Sequence, residues 1–177
     1  MTPLKIISIV LKPLQIVLLV IGMGFVAYFT KEYHDFLKVS QFDAYDAGYF
    51  GRNEFFLYST GIGVVFAAFE LVCVLMGQLE NKHSALAVSA EQAICTCQLL
   101  VSTALLAKVL TTFQKKEVLS SNFLFKIRSP SLCEKWDKNK FHHTCDDLMA
   151  GVICGFLAVV AFAVDTAISF VSYKQAQ

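Results

Sequence analysis

Four long apolar runs separated by polar intervals dominate the pattern along the chain. The first is Pro13–Thr30, extended if the helix begins at Ile6; the second, Phe55–Gly77, is broken only by Glu70. The third, about Ala85 to Phe113, is interrupted by Glu91 and Lys108, and the fourth, Leu148–Tyr173, by Asp165. At about 1.5 Å per residue each run crosses a hydrocarbon core of roughly 30 Å. Backbone groups find no water there, so runs of this length are helices, and the alternation of a β-barrel is absent. The pattern predicts an all-α bundle of four transmembrane helices (spans about 6–30, 55–77, 85–113 and 148–173), with residues 1–177 as one membrane domain. Lys5 and Lys12 precede the first run as they would in a signal peptide, but no small-x-small site closes it, so it reads as a retained span.

Composition agrees. Apolar residues make up 56% of the chain and charged residues 16%, against usual shares of about 45–50% and about 25%. A net charge of +1 offers no concentrated basic face, which excludes nucleic acid as a partner. No Ser-His-Asp set, H-E-x-x-H or phosphate-cradling glycine loop appears, so neither an enzyme nor a cofactor is expected.

Four spans place both termini on one side and the two longer loops, Lys31–Glu54 and Gln114–Asp147, on the other. The long-loop face holds ten Lys and Arg against four on the termini face, so a literal positive-inside count puts those loops in the cytoplasm. The cysteines point the other way. Cys73, Cys95, Cys97 and Cys154 lie in spans, whereas Cys133 and Cys145 share one hydrophilic loop. Such a pair suggests a disulfide, hence an outer loop and cytoplasmic termini. A zinc site from Cys133, His142, His143 and Cys145 is the alternative, without the C-x-x-C element of a strong zinc signal; free thiols are the third.

Within the spans, Lys12, Glu70 and Asp165 fall at similar depths near the termini side, with Gln15 one turn after Lys12. Ionised groups at such depth need partners inside the bundle. They read as a polar clamp orienting the helices; a proton or cation relay is the competing reading. Gly61 and Gly63 on the second span, and Gly151 and Gly155 as G-x-x-x-G on the fourth, are at spacings that allow close helix approach, within one chain or between copies in a homo-oligomer. Tyr28, Phe29, Phe55, Phe56, Tyr58, Phe113 and Tyr173 cluster near span ends, as an interfacial aromatic belt would. Lys108 and Glu91 read as boundary residues.

Three places resemble the MARVEL family of four-helix membrane proteins, the MAL, plasmolipin and synaptophysin-like group. Leu11-Lys12-Pro13-Leu14-Gln15 is similar to that family's basic residue followed three later by Gln at the first span. Gly155-Phe156-Leu157, followed by Val164-Asp165-Thr166, is similar to its fourth-span pattern. The short second turn and the paired loop cysteines also fit. The first outer loop is longer and more acidic than in the compact members, and the tails are short. The resemblance implies a non-enzymatic multi-pass protein of the plasma membrane or trafficking vesicles. Its expected work is vesicle trafficking, cell–cell fusion or cell-junction assembly, with membrane lipids and other integral membrane proteins as partners. A junctional adhesion component and a small transporter using Glu70 and Asp165 are the competing functions.

Overall fold

A computed structural model of the chain describes residues 3–40, 49–76, 82–115, 131, 133–134 and 144–175. These form four long helices: α1 (Pro3–Ser40), α2 (Tyr49–Leu75), α3 (Lys82–Gln114) and α4 (Thr144–Gln175). Each contains a stretch long and apolar enough to cross a membrane: Ile7–Asp35, Gly51–Leu75, Leu86–Gln114 and Cys145–Val171.

The helices outrun the apolar segments that predicted them. α1 continues through Lys31 to Ser40, and α2 starts at Tyr49 rather than Phe55. Hydropathy marks where lipid lies, while backbone hydrogen bonding carries a helix past the interface. α1 opens on Pro3, whose missing N–H falls among the donors that a first turn leaves unpaired. Pro13 lies inside it and removes the hydrogen bond to the residue 9 carbonyl, a loss that membrane helices tolerate when neighbours support them. α4 carries Asp146 and Asp147 in its first turn and Lys174 in its last, both favourable to the helix dipole.

α1 packs against α2 and α4, and α3 against α2 and α4; among the described residues the backbones of the diagonal pairs stay apart, and those pairs touch through side chains such as Phe29 with Phe113. The bundle is therefore a four-sided frame with antiparallel neighbours. Its inward seam follows a strict three–four spacing. In α1 the buried positions are Lys12, Gln15, Leu19, Gly22, Val26, Phe29 and Tyr33; in α4 they include Leu148, Gly151, Gly155, Ala158, Phe162 and Asp165. This is the heptad period of left-handed helix packing. Large apolar side chains such as Val10, Val17, Tyr58, Val65, Phe69, Ile94 and Val160 point outward, to where lipid lies.

Two apolar clusters fill the interior. One, toward the long-loop end, contains Val26, Phe29, Tyr33, Phe56, Leu106, Phe113 and Leu148. The other, toward the termini, contains Leu19, Ala67, Cys95, Leu99, Ala158 and Phe162. The aromatic-belt expectation is corrected here. Phe29, Phe56 and Phe113 are fully buried, and Phe29, Tyr33 and Phe113 pack with ring centroids 5.6–6.1 Å apart. Tyr28 and Tyr58 do face outward, and the side chain of Tyr173 lies outside the described residues.

Candidate functional site: a buried polar layer

Lys12, Gln15, Glu70 and Asp165 meet in the interior near the termini end, each 2% exposed or less. Lys12 comes from α1, Glu70 from α2 and Asp165 from α4, all on seam positions of their helices. The Lys12 ammonium lies 2.7 Å from Asp165 Oδ2 and also donates to Glu70 Oε2. Gln15 Nε2 donates to Asp165 Oδ2 at 3.3 Å and to the Ala161 carbonyl at 3.2 Å. Two acceptors on that side fix which way the amide points, and Gln15 Oε1 is buried without a partner.

Gln92, a member that sequence reasoning missed, completes the layer from α3. It is 1% exposed, and its Nε2 donates to Glu70 Oε2 at 2.8 Å and to Asp165 Oδ2 at 3.2 Å. Ser8 donates to Asp165 Oδ1 at 2.8 Å, and Ser169 donates to Gln92 Oε1 at 3.4 Å. A neutral amide draws no notice in a search for charges. Its signal was positional: Gln92, Cys95 and Leu99 share one face, whereas the adjacent Glu91 lies off that seam. Glu91, read as a boundary residue, is half-buried, and its Oε1 is buried without a partner. Lys108 is exposed.

The arrangement sets one ammonium between two carboxylates, with two amides and a hydroxyl as further donors. Glu70 Oε2 and Asp165 Oδ2 each accept from both Lys12 and Gln92, so four helices are joined at one node. Such charge-assisted bonds are among the stronger polar contacts, and low dielectric strengthens them further.

The glycines divide. A Cβ on Gly151 would lie 2.5 Å from Val26 Cγ2, and one on Gly155 2.8 Å from Thr103 Oγ1 and 3.0 Å from Phe56 Cε2. Gly63 faces Leu19 at 3.0 Å. Gly61 differs from expectation: a Cβ there meets nothing within 4 Å, because the seam runs through Thr60 and Gly63 and leaves Gly61 beside it. Gly22, not picked out beforehand, faces Cys154 Cβ at 3.2 Å and the Gly151 carbonyl at 3.7 Å, so α1 and α4 approach glycine to glycine.

At the opposite end, Cys133 and Cys145 form a disulfide with Cα atoms 5.8 Å apart. Both cysteines pack against the apolar cluster there. His142 and His143, named for the zinc alternative, lie outside the described residues. Cys95 is buried in the core and Cys97 exposed, as two positions on one helix turn require.

Residues 5–168 match the MARVEL family, a membrane-associating domain. The chain belongs to the MARVEL family. No curated protein and no solved structure matches it significantly, so the family alone carries the relationship. As a MARVEL protein with four membrane-length helices it is a multi-pass integral membrane protein. The Lys12–Gln15 and Gly155–Asp165 segments that carried the resemblance both fall inside the matched range, and both contribute to the polar layer or the glycine contacts.

Proposed function

We propose that this MARVEL protein is a non-enzymatic membrane organiser, working in trafficking, membrane apposition or fusion, or junction assembly, with its polar layer as a structural clamp. Its partners are bilayer lipids and other integral membrane proteins, met through the large apolar side chains on its outer faces. The termini are cytoplasmic and the disulfide-bonded loop is outside, in keeping with the redox preference of such a bond. One observation carries the reading: Glu70 and Asp165 are both engaged by protein donors, and two apolar clusters close the bundle between that layer and the loop end. A conduction path would need a continuous polar or water-filled line, whereas of the buried hydroxyls in that stretch Thr60 and Ser102 bond back to carbonyls of their own helices.

The second reading is a proton or cation relay, favoured by two acids facing one base. Purified protein in liposomes distinguishes the two. The organiser reading expects no proton or cation flux above empty vesicles, together with correct localisation of a triple apolar replacement at Lys12, Glu70 and Asp165 in cells. Flux that vanishes in Glu70→Gln would move the protein into the transporter class.

A further inference from the structure

Between α3 and α4, at the termini end, the surface opens into a slot of about 470 Å³, in the range of small-molecule sites of about 300–1,000 Å³. Ala90 and Ala93 on α3 face Ala163 and Ala167 on α4, and Phe170 borders the slot nearer the end of α4. Four alanines where larger side chains would fill the space keep it open. Ser89 also lines it, is 7% exposed, and its hydroxyl has no hydrogen-bond partner. Ser89 lies about one turn inside the apolar stretch that begins at Leu86, the depth at which acyl chains join their headgroups. Lys174 is exposed, and its ammonium stands 5.2 Å from the centroid of the Phe170 ring, about one turn beyond the slot.

We propose that this slot binds one anionic glycerophospholipid from the leaflet on the termini side. One acyl chain lies among the alanines, Ser89 donates to the ester carbonyl, and Lys174 faces the phosphate headgroup. Three features in that order, two lining the slot and the third about one turn beyond it, match the three parts of such a lipid: apolar tail, carbonyl acceptor and negative head. A second copy of the chain filling the alanine stripe is the alternative occupant, and the test below separates it from lipid. Anionic lipids concentrate in the cytoplasmic leaflet and attract basic side chains near the surface, which agrees with cytoplasmic termini. The site gives the organiser reading a specific lipid partner and rests on it, yet shares no residue with the clamp.

The test uses the full chain in nanodiscs of equal phosphatidylserine and phosphatidylcholine, followed by mild detergent extraction and native mass spectrometry. The native protein should retain one phosphatidylserine in several-fold preference to phosphatidylcholine. Lys174→Gln should abolish the preference while lipid is still retained, and Ser89→Ala should weaken retention of both lipids alike. Ala93→Phe should remove the bound lipid. Should Ala93→Phe fail to fold, the Lys174 and Ser89 variants, neither of which adds bulk to the bundle, decide the matter. Equal retention of the two lipids by native protein, or a preference unmoved by Lys174→Gln, would overturn the proposal. So would a dimer that Ala93→Phe disrupts in place of lipid. Each of these outcomes can occur with the Lys12, Glu70 and Asp165 variants behaving as a clamp, so the two ideas fail separately.

Discussion

Lys12 holds the layer together because it is the cation that both Glu70 and Asp165 contact. Replacing it with Leu leaves two carboxylates facing each other in a low-dielectric interior. Breaking a buried pair in this way costs about 3–5 kcal/mol in soluble proteins, while exchanging the whole set for apolar residues is often nearly neutral. Water defects and snorkelling soften both figures in a bilayer. Lys12→Leu should therefore lower surface delivery sharply, measured by cell-surface biotinylation, and the triple replacement of Lys12, Glu70 and Asp165 by Leu should restore most of it. Gln92→Leu is a milder probe. It withdraws one donor from each carboxylate, with an expected loss of about 1–3 kcal/mol. Unfolding of purified protein in a denaturing detergent series should place it between the native chain and Lys12→Leu.

At the scale of the helices, close backbone approach governs packing, and the glycines show where it occurs. Gly155→Leu would drive a side chain into Thr103 and Phe56, and Gly151→Leu into Val26. Overpacking of this kind costs about 1–3 kcal/mol per site, so the double variant should give a lower folded yield on size-exclusion chromatography. Gly61→Leu has open space and should leave the yield unchanged. The contrast marks how far the helices were legible beforehand. Four spans, the charged members of the clamp and the G-x-x-x-G face follow from apolar length and from polar groups too costly to strand in lipid. Gln92, Gly22 and the buried Phe29, Phe56 and Phe113 did not follow. In a membrane helix every face is apolar, so hydropathy cannot say which one turns inward. The three–four spacing of the buried positions carries that information, and it becomes readable only once one seam residue per helix is known.

Across the whole molecule, the polar layer joins four helices at the termini end, while at the loop end the disulfide ties Cys133 to Cys145 at the start of α4. The bundle's sidedness is open to chemistry. Maleimide applied outside intact cells should reach Cys133 or Cys145 only after reduction; labelling from the cytoplasm alone would reverse the orientation and restore the positive-inside count. Removing the bond by Cys133→Ser should destabilise the fold by about 3 kcal/mol on the chain-entropy account, and adding Cys145→Ser should change little more, as unfolding midpoints of the single and double variants would show.

Along α4 the rise from Cys145 to Asp165 is about 30 Å, close to one hydrocarbon thickness. The apolar stretches themselves run 25–29 residues, or about 38–44 Å, and exceed it. A lone helix that is too long relieves mismatch by tilting. Four helices joined at the polar layer and packed on one apolar cluster at the loop end cannot readily tilt one at a time, so the surrounding lipid must do more of the adjusting. The protein then behaves as a rigid spacer that favours thick bilayer and stretches thin bilayer around itself. In phase-separated vesicles it should collect in the thicker phase, and loss of the polar layer by Lys12→Leu should weaken that sorting.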